Sequence, residues 1–273
     1  MKKLCVIGTS HVGALKTGWD AIKAEQSDWD IVFFGAPDFG VTERLRHVKR
    51  RGSKLVSVEK YTREYFKVTS GGQAEIDLEA YDCFLVQGAG IGINLIMRTI
   101  YSFFRSERHA MSGGNVLVSE ACFSDAVKGL FLSSVAARLA DEIAAAVDTP
   151  AYLVPSPCPS EGLLSATKTS KKVWMEIMRN WQKIHAAGDH IVLEDQYRAG
   201  LDAVRAQGYR LIDIPAEFYS APCFTKHEYC KGSEWLQDAK YEASPDDDYL
   251  HMNGRYGATL LKSFFETVSR ETG

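Results

Sequence analysis

The chain has no apolar run approaching the roughly 20 residues of a membrane-spanning helix, so its sequence predicts no membrane insertion. It has no C-x-x-C pair. Its six cysteines, at 5, 83, 122, 158, 223 and 230, are scattered, which removes zinc-ribbon and thioredoxin-type sites and leaves reduced thiols that mostly pack. An excess of charge is also missing. With 32 Lys+Arg against 35 Asp+Glu the net charge is −3, so nothing overall favours nucleic acid or an anionic membrane surface. No repeat and no low-complexity tract interrupts the chain. The opening stretch Leu4-Cys5-Val6-Ile7 is shorter than the roughly 7–15 apolar residues of a signal peptide, and the expectation is a cytoplasmic protein.

What is present alternates. Strands are predicted at 3–8, 30–35, 81–87, 115–119, 150–154 and 209–213. Helices are predicted at 11–26, 91–107, 120–147, 170–187, 195–207 and 254–270. Strand–helix alternation of this kind points to an α/β fold with a parallel sheet covered on both faces. Frequent turn-punctuated short strands, the mark of sandwiches and barrels, do not occur. Two stretches break the rhythm, at about 41–80 and 215–247. The first holds the alternating segments 54–59 and 65–68 and is expected to form a small excursion of strands. The second is rich in Pro, Cys, Gly and aromatics. One domain spanning 1–273 with two insertions is the economical organisation.

The chemistry concentrates at the two ends. In Leu4-Cys5-Val6-Ile7-Gly8-Thr9-Ser10-His11 an apolar run breaks at glycine and delivers Ser10 onto a helix start. There it lies beside unpaired backbone N–H groups, as an acyl-transfer nucleophile requires. Near the C-terminus, Asp248 and His251 stand at i and i+3. At that spacing a carboxylate reaches the imidazole Nδ1–H and leaves Nε2 to accept a serine proton. In an open parallel sheet both groups could gather outside the carboxyl ends of the strands. Taken singly, each residue has a plainer reading: Ser10 as a helix N-cap, Asp246-Asp247-Asp248 as a complement to the helix dipole, His251 as a surface histidine. Their joint occurrence favours a serine hydrolase.

Gly8-Thr9-Ser10-His11 and Asp248-x-x-His251 resemble blocks I and V of the SGNH/GDSL hydrolase superfamily, and His251-Met252-Asn253-Gly254-Arg255-Tyr256-Gly257 resembles an uncharacterised bacterial branch of it. The resemblance implies a three-layer α/β/α, flavodoxin-like fold and ester hydrolysis through an acyl-serine. Ser10 would be the nucleophile, His251 the base and Asp248 its orienting acid. Gly35 matches the block II glycine, and backbone N–H groups of Ser10, Gly35 and Gly88 would hold the oxyanion. Block III departs from the pattern. Val86-Gln87-Gly88-Ala89-Gly90 places glycine where the family has an asparagine donor, and loss of one such donor costs about 10²–10³ in rate unless it is replaced. Gln87, Asn94 or a backbone N–H at the glycines are the candidates.

Other readings are weaker. Gly8-x-Ser10-x-x-Gly13 mimics a dinucleotide fingerprint, but serine replaces the second glycine and the second strand ends without an acidic residue. The basic run from Arg44 to Lys54 is either a solvated surface or a landing site for an anionic glycan. His11 is expected to support the site or face substrate rather than pair with Ser10 directly. The stretch 224–233 is either a substrate wall or an aromatic-packed surface loop. Consecutive aspartates do not converge on one ion, so no metal is expected, nor any cofactor. The expected substrate is a small-molecule or carbohydrate ester. The rivals are an acyltransferase to a sugar hydroxyl using the same triad, and a non-catalytic glycan-binding protein.

Overall fold

The N-terminal apolar run forms β1 (Lys2–Gly8), and the helical spacing after it forms α1 (Val12–Ile22). The computed structural model describes residues 1–36, 44–110, 114–169, 171–237 and 240–272. In chain order there follow β2 (Trp29–Gly35), β3 (Val48–Arg51), β4 (Lys54–Ser57), α2 (Lys60–Ser70), β5 (Glu75–Asp77) and β6 (Cys83–Gln87). Next come α3 (Ile93–Ile96), running on into a π-turn at Met97–Tyr101, then β7 (Phe104–Ser106), β8 (Val116–Val118), α4 (Glu120–Leu132), α5 (Val135–Ala144) and β9 (Ala151–Val154). The remainder is α6 (Lys172–Ala187), α7 (Asp189–Ala206), β10 (Arg210–Leu211), β11 (Tyr219–Ala221), β12 (Phe224–Thr225), β13 (Glu234–Gln237), β14 (Lys240–Ala243) and α8 (Gly254–Thr272).

Five strands pair in parallel in the order β10-β9-β6-β1-β2. Counted along the chain from β2, the order is 2-1-3-4-5, the doubly wound arrangement whose switch point lies between β1 and β6. Side chains alternate across the sheet. Leu4, Val6, Phe33 and Leu85 pack against α1 and α8 on one face. Cys5, Ile7, Phe34, Phe84 and Val86 pack on the other face with residues of α2, α3, α5 and α6. The result is a three-layer α/β/α fold, as expected. No helix among the described residues is long and apolar enough to cross a membrane.

Several elements differ from the sequence reading. The segment at 116–118 does not join the main sheet but pairs in parallel with 104–106, so the helix expected over 91–107 ends early. The helix expected over 120–147 is two helices, because Ser134 takes an extended backbone and its hydroxyl accepts from Ala137 N–H as an N-cap. Helix α7 starts at Asp189 rather than 195, directly after Gly188 closes α6 in the left-handed conformation. In the first insertion, β3, β4 and β5 form the expected small sheet, but Tyr65 to Val68 lie within α2. Residues 41–43 of that insertion and 238–239 of the second lie outside the described residues.

The ends of the chain meet where α1 crosses α8. A Cβ on Gly257 would lie 1.8 Å from the Ala14 carbonyl oxygen, and one on Gly18 would lie 2.2 Å from the Ala258 nitrogen. The two helices therefore touch backbone to backbone, and only glycine permits it. Asn253 starts α8: its Oδ1 accepts from Tyr256 N–H, and its Nδ2 donates to the carbonyls of Glu228 and Lys231.

Candidate active site

Ser10 sits on the turn that joins β1 to α1, at the carboxyl edge of the sheet and beside the switch point. No side-chain cap hydrogen bond forms at the start of α1, so Ser10 is not its N-cap. Its Oγ lies instead 3.0 Å from His251 Nε2. The other ring nitrogen, Nδ1, is 2.7 Å from Asp248 Oδ2. With Nδ1 carrying the proton toward the carboxylate, Nε2 is left to accept from the serine hydroxyl. Acid, base and hydroxyl from opposite ends of the chain thus form one hydrogen-bonded line.

The acid is held firmly. Asp248 is buried, and its Oδ1 accepts from the backbone N–H groups of Leu250 and His251, at 2.9 and 3.1 Å. Burial pushes its pKa up, but the hydrogen bond and charge of His251 and the two backbone donors outweigh this. Its carboxyl stays below the ordinary carboxylate value. Cys230 Sγ donates to the Asp248 carbonyl, and Ser160 N–H donates to the Tyr249 carbonyl. Phe224, Thr225, Tyr229 and Cys230 are all buried. The stretch 224–233 therefore buttresses the acid-bearing loop and contributes no wall to the serine cavity.

The base is flanked by rings. His11 lies 5.5 Å from the His251 ring and Trp174 lies 6.0 Å from it, with Lys171 Nζ over Trp174. No Ser10–His11 pairing occurs among the described hydrogen bonds, as expected. Burial, reinforced by the neighbouring His251 and opposed by Asp248, lowers the His11 pKa to about 3. It is a neutral imidazole at working pH, with Nδ1 buried and unpartnered among the described residues.

The expected oxyanion donors need correction. Gly35 N–H donates to Thr69 Oγ1 at 3.0 Å, because the end of α2 packs over the tip of β2. Gly88 N–H donates to the Val154 carbonyl at 2.7 Å, continuing the β6–β9 ladder one residue past the strand. Both N–H groups are engaged and neither residue lines the cavity beside Ser10. Gln87 does not replace them. It is fully buried on the α1 side of the sheet, its Cβ near Gly8, and its amide meets no partner among the described residues.

Asn94 does line that cavity, which encloses about 200 Å³ together with Ser10, His11, Gly90, Gly92, Arg98 and Ser156. Trp181 Nε1–H donates to Asn94 Oδ1 at 2.7 Å. That bond fixes the amide so that Nδ2 is the end left over, without a partner among the described residues. The Ser10 N–H is likewise unpaired among the described residues. The loop between β6 and α3 that forms one wall is wound tightly: Gly88, Ala89 and Gly90 all have positive φ. At Ala89, with φ 47, this is a sparsely populated conformation for a residue with a side chain. Asn94 was legible as a candidate in the sequence, but nothing there announced Trp181 as the residue that orients it.

The basic run resolves as a surface. Arg44, Arg50 and Lys54 pair with Glu59, Glu142 and Glu75, and none of the run lines the serine cavity. A larger cleft of about 640 Å³ lies beside Asp141, Asp148 and Tyr209, and neither Ser10 nor His251 lines it.

No family model matches the chain, and no curated protein matches it. Among solved structures it is similar to the periplasmic domain of a lipopolysaccharide acetyltransferase from Salmonella ser. Paratyphi A. That superposition has a TM-score of 0.45 and 11% identity, and covers 98% of this chain and 83% of the other. It is also similar to a DUF4886 family protein from Bacteroides uniformis, with a TM-score of 0.41, 11% identity and coverage of 97% and 82%. These likenesses concern the chain trace. The chemistry of the site rests on its own geometry.

Proposed function

We propose that this protein is a serine esterase of the SGNH type, acting on an ester of a small acyl group. The observation that carries this reading is the line Asp248–His251–Ser10, with contacts of 2.7 and 3.0 Å at the switch point of a parallel sheet. Ser10 Oγ attacks the carbonyl carbon while its proton passes to His251 Nε2. Asp248 fixes the ring and stabilises the imidazolium. The charge that develops on the carbonyl oxygen is met by Ser10 N–H and Asn94 Nδ2. Collapse breaks the C–O bond, and the leaving alcohol takes the proton from His251. Water then attacks the acyl-serine with His251 again as base, releasing the acid and restoring the Ser10 hydroxyl. The chemistry needs no cofactor.

A cavity of about 200 Å³ beside Ser10 suits a short acyl chain. An O-acylated carbohydrate is the substrate class that the sequence resemblance favours. A binding-only protein would tolerate a serine far from the imidazole, which is not the arrangement found. The test is hydrolysis of 4-nitrophenyl esters of increasing acyl length, wild type beside Ser10→Ala, with a fluorophosphonate label on the same samples. Turnover and labelling that vanish with Ser10 are expected. Turnover indifferent to Ser10→Ala would overturn the reading. Product analysis with excess sugar alcohol separates hydrolysis from transfer, which shares the first half-reaction.

A further inference from the structure

Resting on the esterase reading, we infer that Arg98 selects esters carrying an anionic group, a carboxylate in the first instance, about one helical turn from the reacting carbonyl.

Arg98 lines the same cavity as Ser10, Asn94 and Ser156. The other residues that line it are small, polar or apolar, and none is a carboxylate. His11 is neutral there, so the Arg98 guanidinium is the one formal charge on the wall among the described residues. Most other arginines are already committed: Arg44, Arg50, Arg108, Arg198, Arg205, Arg210, Arg255 and Arg270 each pair with a carboxylate. Arg98 makes no ion pair or hydrogen bond among the described residues.

Its position relative to the reaction is also defined. Asn94 and Arg98 are at i and i+4, so both project from one side of α3 and the turn that continues it, with Cβ atoms roughly 6 Å apart. The π-turn begins at Met97, immediately before Arg98. Such turns insert a residue and re-aim the side chains around them, often at functional sites. Trp181 holds Asn94 from the α6 side, and Arg98, which is exposed, lines the same cavity. An oxyanion held by Asn94 Nδ2 would therefore lie within a few bonds of any carboxylate held by Arg98. A planar guanidinium grips a carboxylate with two parallel hydrogen bonds, so position is selected as well as charge.

The test uses two matched ester pairs. 4-Nitrophenyl hemisuccinate against 4-nitrophenyl butyrate puts the carboxylate on the acyl side. 3-Acetoxybenzoate against phenyl acetate puts it on the alcohol side. In the wild type, the charged member of one pair should be favoured in kcat/KM by about five- to tenfold, a preference that shrinks with added salt. Arg98→Gln should bring that ratio close to one, and Arg98→Lys should restore part of it. A ratio near one for both pairs in the wild type, or a preference that survives Arg98→Gln, would overturn the inference. The esterase reading is judged separately, by loss of turnover of the neutral esters in Ser10→Ala. Should that reading fail, Arg98 is judged by binding: monomethyl succinate should raise the unfolding midpoint of wild type and not of Arg98→Gln, and equal shifts would sink the proposal.

Discussion

Gly257→Ala should disable the site without touching it. The added Cβ would sit 1.8 Å from the Ala14 carbonyl oxygen, a backbone atom that cannot swing away. An ordinary C···O contact is about 3.3 Å, so the two helices must part by about 1.5 Å. Helix α1 follows directly from the Ser10 turn, and α8 follows directly from the His251 loop, so the separation opens the Ser10–His251 contact. If a third of it is transmitted, the 3.0 Å between Ser10 Oγ and His251 Nε2 grows to about 3.5 Å, the limit of a useful hydrogen bond. A 1 Å misplacement can cost about 10² in kcat/KM, so about tenfold is expected here, and overpacking removes about 1–3 kcal/mol of stability. The assay is 4-nitrophenyl acetate hydrolysis beside thermal unfolding. Gly254→Ala should lose less, because its Cβ meets the Thr17 methyl, a side-chain atom, at 2.7 Å. Gly129→Ala, on the exposed face of α4 with nothing within 4 Å, should instead stabilise by about 0.5–1 kcal/mol. Wild-type turnover and midpoint in Gly257→Ala would refute the idea that this crossing sets the triad geometry.

Asn94→Ala should lower kcat by about 10²–10³ with little change in KM, since its amide is asked to act on the transition state. Trp181→Phe, which frees the amide to turn, should give a smaller loss; unchanged kcat in Asn94→Ala would leave the oxyanion to backbone donors alone. His11 makes stability depend on pH. Between about 3 and its ordinary value of 6.5, the unfolded chain binds a proton that the folded chain refuses, so stability falls as pH is lowered through that window, with a slope of up to about 1.4 kcal/mol per pH unit. Unfolding midpoints measured between roughly pH 7 and pH 5 should decline less steeply in His11→Asn than in wild type; equal slopes would mean that the imidazole protonates freely in the folded state.

The core strands were legible in the sequence because both faces of a covered parallel sheet are buried, which writes near-continuous apolar runs such as Leu4-Cys5-Val6-Ile7 and Cys83-Phe84-Leu85-Val86. The meeting of Ser10, His251 and Asp248 was legible because they lie in short segments whose spacing favours that contact. What escaped was set by contacts distant in sequence. Val116-Leu117-Val118 reads like a core strand, yet its partner is Phe104-Arg105-Ser106 rather than the main sheet. Phe66-Lys67-Val68 alternates as a strand would, but Tyr65 and Phe66 serve as the buried face of α2. The oxyanion donors assigned to Gly35 and Gly88 failed for a related reason. A glycine at a strand tip marks where a backbone turns, while the fate of its N–H depends on Thr69 or Val154, neither of which is near in sequence. The small residues Ala14 and Gly18 in one helix and Gly257 and Ala258 in the other were the available signal for the α1–α8 contact, one residue type permitting each close approach.

Ser10 and His251 are separated by 241 residues, and Asp248, which holds the His251 ring, lies on the same late loop. On the proposed esterase reading, hydrolysis would double as a reporter of completed folding. During synthesis, the Ser10 turn and four of the five core strands could form long before the residues that activate the serine leave the ribosome, and through that interval the hydroxyl would stay inert. Partial opening that peels the C-terminal helix from the sheet would switch turnover off while most of the secondary structure remained, so loss of activity should precede loss of helical signal as denaturant is raised.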